Sequence, residues 1–431
     1  MFMHDLALSG RQSAQTGITS VTVPNLQLRW TYSIGEQTVS SPAIADGLLY
    51  IVTGVGSVIA FDERTGSVRW RTQINGAVSM SPTVDSGLLF VATHNPPAKF
   101  FALDEQSGAI RWTETFNGSI RSEPAVAQGM VLVGEAGGDP PACHQGGVQA
   151  FQALTGAPLW TWHVNPKPND GGSVWAPVSF GGRDFVVGTG NSCSVGAINA
   201  NTVVRLTPAG TQEWGLPQQV SPVVDDDWGG GATISNGNLF VANKNGYFYG
   251  INGSSGQIIW KVQLSPFDGA GSYATPATDG THLVIPSGWI TFPTLSHSAP
   301  SSSVVAYNEN GVRLWSVPTG NRVYGGGAIT NDLVFFGLDV RLAALDLDSG
   351  KELWTYPTPG GAYIQAPPVI VSSGIYAVDI YGTVYAFSLG TSSAGQSTRA
   401  PAAITPARAR VQMRYGPVSR QDADGIWHPV F

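Results

Sequence analysis

The chain predicts an all-β fold, an eight-bladed β-propeller of four-stranded blades. Three observations carry that expectation. A self-similar unit closing on tryptophan recurs along most of the 431 residues, with its tryptophans at Trp70, Trp112, Trp160, Trp214, Trp260, Trp315 and Trp354. Units of about 40 to 50 residues, each holding some four short strands, are the signature of propeller blades. An orphan closing strand at Leu26–Trp30 and an orphan preceding strand at Val384–Leu389 complete each other. The N-terminal strand should therefore be the outer strand of the last blade, closing the ring and removing a sheet edge. Finally, 54 Gly, 29 Pro and 13 Trp, with only 12% charged residues, suit short strands and tight turns rather than long surface helices.

The unit reads as an apolar pair, a polar turn ending in Gly, then a strand closing on Trp. Its copies are 60–70, 102–112, 150–160, 204–214, 250–260, 306–315 and 344–354. Each unit opens alike, as in Ser41-Pro42-Ala43-Ile44, Ser81-Pro82-Thr83-Val84, Glu123-Pro124-Ala125-Val126, Thr275-Pro276-Ala277 and Ala366-Pro367-Pro368-Val369. The closing tryptophans are structural on this reading and fill the space between blades. Longer spacings mark loops inserted on one face, where a propeller keeps its binding site. These are Ala136–Gly147, Asn165–Trp175 and Trp289–Ser302. The domain layout is a lead-in over 1–25, the propeller over 26–390, and a mostly disordered tail over 391–431, which is rich in Ser, Ala, Pro and Arg and has no period.

A net charge of −7 without Lys/Arg runs argues against nucleic acid and anionic membrane as partners. No apolar run is long enough to span a bilayer. Met1–Gly10 lacks the pattern of a signal peptide, so the protein is cytoplasmic or its leader has been removed. Two cysteines, Cys143 and Cys193, are too few for a disulfide framework or a Cys-based zinc site. Without Cys-x-x-Cys-His, covalently attached haem is not expected. The seven histidines show no metal spacing, and neither a nucleophile elbow nor a phosphate loop is present.

The stretch 174–191 stands out. Trp175, which closes no repeat, precedes the β-rich run Phe185-Val186-Val187 and the loop Gly188-Thr189-Gly190-Asn191. Together with the repeat it resembles the pyrroloquinoline quinone propellers: the quinoprotein alcohol dehydrogenases, including the polyvinyl alcohol dehydrogenase branch, and their non-catalytic relatives. The resemblance covers about residues 26–390.

In the dehydrogenases a Gly-Gly-Ala-Glu-like loop gives a calcium-binding carboxylate. Its place is taken by Gly137-Gly138-Asp139. The segment on which the quinone stacks matches Gly172-Ser173-Val174-Trp175, and Gly-Thr-Gly-Asn matches 188–191, implying Asn191 as a second calcium ligand. The Pro-His-Asp-x-Trp-Asp segment corresponds to 222–229, and the element whose cation faces the quinone oxygen matches Asn243-Lys244-Asn245-Gly246. The family's base follows that segment's Trp, where this chain has Gly229, so Asp225, Asp226 or Asp227 would stand in, Asp227 being nearest.

The chemistry suits those roles. Calcium takes six or more hard oxygens, which Asp139, Asn191 and the quinone could largely supply. An electron-poor ring stacks on an indole such as Trp175. Lys244 would stabilise charge developing on the quinone oxygen, and Asp227 would take a hydroxyl proton. The plainer readings are a solvent-facing turn acid for Asp139, a loop cap for Asn191, and a hairpin-flanking lysine for Lys244. Cys143 and Cys193 lie beside Asp139 and Asn191, so a disulfide pinning the two loops is expected.

The resemblance implies bound pyrroloquinoline quinone and Ca²⁺, oxidation of a small or polymeric alcohol, an external electron acceptor, and a periplasmic or extracellular place. Its alternative is a propeller that keeps the fold as a protein-binding scaffold, like the outer-membrane assembly lipoprotein of this type.

Overall fold

The computed structural model describes residues 3, 5–13, 16–137, 143–193, 198–217, 227–264, 272, 274–287, 303–319, 323 and 325–390, with the backbone of 418–421 and 427–430. Asp139, Asp225, Asp226 and the whole Trp289–Ser302 loop lie outside the described residues. Eight four-stranded antiparallel sheets make eight blades, as the sequence predicts. The innermost strands are Ala43–Ala45, Thr83–Asp85, Ala125–Ala127, Ser179–Phe180, Thr233–Ser235, Ala277–Thr278, Ala328–Thr330 and Val369–Val371, numbered here as blades 1 to 8. Neighbouring inner strands touch around the axis. The strand Leu26–Ser33 pairs antiparallel with Thr383–Leu389, so the outer strand of blade 8 comes from the N-terminal side.

The second and third strands of each blade are almost entirely buried, whereas the outer strand alternates exposed and half-buried residues. That is the pattern of sheets packed face to face with one wet edge. The closing tryptophans explain why the blades stay in register. In blade 1, Trp70 lies opposite Ala60, where the small side chain leaves room for the indole, and a bulge follows between Ala60 and Phe61. The ring then leans on the turn of blade 2. Its Nε1–H donates to Glu105 O at 2.9 Å, and a Cβ on Gly108 would lie 2.4 Å from the ring. Gly108 has φ +71°, so both its conformation and the packing require glycine.

The same contact passes from blade to blade. Trp30 donates to Glu63 O, Trp112 to Ala153 O, Trp160 to Pro208 O, Trp214 to Gly253 O, Trp260 to Glu309 O and Trp315 to Leu347 O. The sequence unit is thus an inter-blade latch, with the turn glycine as the seat and the tryptophan of the preceding blade as the bolt. A second latch runs near the axis, where Thr83 Oγ1 donates to Pro124 O, Ser179 Oγ to Ala232 O and Thr233 Oγ1 to Pro276 O.

A separate unit comprises residues 291–298 and 390–431, and its described part is Gly390 and one hairpin pairing Val418–Gln421 with Trp427–Val430. The remaining residues of the expected disordered tail, 391–417, 422–426 and 431, lie outside the described residues.

Candidate functional site

The described strand-connecting loops that bear Trp175, Asn191, Asp227 and Lys244 leave the blades on one face. Trp175 and Asp227 lie in the connections entering the inner strands of blades 4 and 5. Asn191 and Lys244 lie in the turns between the second and third strands of those blades. Backbone hydrogen bonds lace these loops together. Ala136 bridges to both Ser119 and Ser173, Gly190 N–H donates to Ser173 O at 2.8 Å, and Trp228 N–H donates to Thr189 O at 3.2 Å.

Four of the predicted residues converge. Asp227 is 6% exposed and Lys244 3%, and Lys244 Nζ donates to Asp227 Oδ2 at 2.6 Å. Asp227 Oδ1 accepts the Asn191 N–H at 2.6 Å. The ammonium also lies 4.7 Å from the centroid of Trp175, within cation–π range. The indole is held close on two sides, since a Cβ on Gly190 would fall 2.8 Å from Trp175 Nε1 and one on Gly229 2.1 Å from its ring. Trp175 keeps partial exposure and Asn191 is exposed.

Cys143 and Cys193 form a disulfide, as expected. Around it, Asn165 Nδ2 donates to Gly171 O at 3.2 Å and to Ser192 Oγ at 2.9 Å, and Cys193 N–H donates to Asp170 O at 3.0 Å. The loop carrying Asn191 is therefore anchored from two directions. Asn201 is a partner that the sequence did not reveal: its Nδ2 donates to Asn191 Oδ1 at 2.9 Å. Its own Oδ1 is buried with no protein donor among the described residues.

That orphaned oxygen bears on whether calcium fits. Asn191 offers an amide oxygen that already accepts from Asn201 Nδ2, its backbone N–H meets the Asp227 carboxylate, and hard oxygens are what calcium takes. No group of three or more His, Cys, Asp or Glu among the described residues is placed to hold a metal. A calcium set would therefore rest on amide and ligand oxygens together with Asp139, which lies outside the described residues. For a planar quinone, the partly exposed Trp175 ring beside the Lys244 ammonium is a fitting surface.

Two further titratable groups lie in the loops of blades 2 and 3. His94 Nε2 accepts from Arg121 Nε at 3.1 Å, and its Nδ1 lies 2.6 Å from Ser79 Oγ. Arginine only donates, so the imidazole is neutral and carries its proton on Nδ1. Burial and the neighbouring guanidinium push its pKa down to about 4. Glu123, just before the inner strand of blade 3, is pushed up to about 7 by burial.

Fold and site together define the chain as an eight-bladed propeller of PQQ-like repeats. It belongs to the family described as outer membrane protein assembly factor BamB, whose profile matches residues 15–96, 55–202 and 199–412. Among solved structures it is similar to the quinohemoprotein alcohol dehydrogenase from Comamonas testosteroni, with TM-score 0.78 and 20% identity, covering 92% of this chain and 81% of that one. A europium-containing methanol dehydrogenase gives TM-score 0.71 and 16% identity over 90% of this chain and 97% of that one. BamB from Moraxella catarrhalis gives TM-score 0.63 and 16% identity over 84% and 97%. Likenesses at these identities establish a shared fold. A curated relative, the serine/threonine-protein kinase AfsK of Streptomyces griseus, is 26% identical over 167 residues, 36% of this chain. The matched part is 19% of that kinase's length.

Proposed function

We propose that the protein is a quinoprotein oxidoreductase that binds pyrroloquinoline quinone with calcium and oxidises an alcohol, passing electrons to an external acceptor. The observation that carries this reading is the convergence of Trp175, Asn191, Asp227 and Lys244 from two neighbouring blades. Such convergence of distant residues is not expected of four unrelated loop side chains. When bound, the quinone supplies the two-electron acceptor that alcohol oxidation requires.

The chain's residues take distinct parts. Trp175 offers its ring as a stacking platform. Asn191, held by Asn201, would offer an amide oxygen to calcium, with Asp139 as the carboxylate ligand. Lys244 places a fixed positive charge beside the platform, stabilising negative charge that develops there. Asp227 is oriented by two donors and accepts the proton of the substrate hydroxyl. The structural disulfide agrees with an oxidising compartment, and so with a periplasmic or extracellular place. No helix among the described residues is long and apolar enough to cross a membrane.

A second reading, a non-catalytic scaffold for protein partners, is favoured by one observation. Gly229 stands where the dehydrogenases carry their base, and Trp175 leaves no room there for a side chain. Titration of pyrroloquinoline quinone into the protein, with and without calcium, separates the two. The quinoprotein reading expects calcium-dependent, saturable quenching of tryptophan fluorescence that is lost in Asn191→Ala and Trp175→Ala. Absence of binding at high micromolar quinone would leave the scaffold.

A further inference from the structure

The innermost strand of every propeller blade has one edge facing the axis, where its backbone groups have no further strand to pair with. In blades 4 to 7 this chain fills that edge with its own N-terminal residues. Phe180 N–H donates to Leu6 O at 2.7 Å, Ile234 N–H to Ala7 O at 2.9 Å, Thr278 N–H to Ser9 O at 2.7 Å and Ile329 N–H to Gly10 O at 2.7 Å. Each donor is the second residue of its inner strand, so four equivalent amides of four consecutive blades are taken in order. Gln12 continues the arc: its N–H donates to Ile329 O, and its Nε2 donates to Ile370 O of blade 8 at 2.8 Å.

The segment is shaped for this path. Leu8 and Gly10 have φ of 55° and 65°, which curl the backbone around the ring instead of letting it run as a straight strand. Met3 and Leu8 are 3% and 4% exposed and pack with Ala277 and Ile329. A Cβ on residue 10 would fall 2.6 Å from Gly327 O and 2.7 Å from Met3 Cε. Asp5, Leu6 and Leu8 share a small cavity with Glu123, Pro177 and Val178, and Pro177 lies two residues beyond Trp175.

We infer that the inner edges of blades 4 to 7 form a peptide-binding groove, an arc of amides that takes successive main-chain carbonyls, and that residues 5–12 occupy it in cis beside the candidate site. Main-chain pairing supplies the affinity and the Leu8 and Gly10 positions the selectivity, the division of labour found where peptides dock on sheet edges. The inference stands whatever ligand the neighbouring site takes.

Amide hydrogen exchange on the full chain tests it. In Leu8→Asp and in Gly10→Ala, the amides of Phe180, Ile234, Thr278 and Ile329 should exchange at least about tenfold faster, while Val204 and Phe240 in the middle strands keep their protection. A synthetic peptide of residues 3–13 added to the Leu8→Asp protein should restore protection at the four amides, and the same peptide carrying Leu8→Asp should not. Unchanged exchange at the four amides in both variants would overturn the inference, as would equal action of the two peptides. So would loss of protection throughout the ring in both variants, because the segment would then be part of the core and not an occupant of a groove.

Discussion

The indole of Trp175 occupies the space into which a side chain on Gly229 would project, with only 2.1 Å between the ring and a Cβ built on that glycine. The two positions are coupled. A carboxylate at 229 and the indole in its present place exclude each other, so the dehydrogenase base cannot be restored by one substitution. Gly229→Asp should destabilise the fold by about 1–3 kcal/mol through overpacking, shift the tryptophan emission, and add no alcohol oxidation. Urea denaturation with fluorescence detection reads the first two effects. A variant as stable as the parent, with unchanged emission, would show that the ring can move aside.

The buried Lys244–Asp227 pair should behave as a unit. Removing one member leaves the other charge uncompensated, at a cost of about 3–5 kcal/mol, whereas removing both costs much less. Asp227→Asn, Lys244→Met and the double variant form a cycle whose coupling energy measures the pair. A double variant as unstable as the sum of the singles would mean that each residue is held by something else.

Glu123 predicts a pH dependence of stability. Burial raises its pKa from 4.5 in the unfolded chain to about 7 in the fold. Between those values the native state holds a proton that the unfolded chain has lost. The contribution of Glu123 is therefore fully present below pH 4.5, declines as pH rises through about 7, and changes no further above. The steepest slope from this one group is about 1.4 kcal/mol per pH unit. Its neighbours are Ser81 Oγ at 3.5 Å and Asp5 across the shared cavity. Glu123→Gln should flatten that part of the curve in unfolding measured from pH 4 to 8. An unaltered curve would place the titration elsewhere.

The Cys143–Cys193 bridge closes a loop of 50 residues. On the chain-entropy account, a loop of that size contributes about 4 kcal/mol. Cys143→Ser, Cys193→Ser and the reduced parent should lose similar stability. Their Asn191 loop should also become more susceptible to proteolysis, since what remains to hold it are hydrogen bonds, to Asn165, Asp170 and Ser173 on one side and to Asp227 and Asn201 on the other. Equal cleavage of oxidised and reduced protein would show that those bonds suffice.

The ring was readable because its latch is local in sequence: glycine, a short strand and tryptophan recur at nearly constant offsets, and each copy obeys the same packing need. Trp175 could be picked out for the complementary reason, as an indole outside that pattern. The disulfide followed from the placement of Cys143 and Cys193 beside two predicted ligand loops. Asn201 was invisible because a positive-φ asparagine in a turn looks like any other, and only the fold sets it against Asn191. The N-terminal arc was equally hidden. Residues 5–12 show no periodicity, and their partners lie in four strands spread over 150 residues (180 to 329). Crowding at Gly229 is likewise a three-dimensional fact, which glycine as a letter does not announce.

The borrowed strand of blade 8 also sets an order of events during synthesis. Leu26 pairs with Leu389, a separation of 363 residues (389 − 26). The first strand of the ring to leave the ribosome therefore waits for the ring's last hairpin. Blades 1 to 7 can stack as they emerge, each bolted to the one before. The ring itself closes only after the final hairpin arrives, and such long-range closure is intrinsically slow. Until then the two outer faces of the unfinished stack are bare, and the waiting interval, rather than the formation of any blade, is when the nascent chain is most exposed to association with other chains.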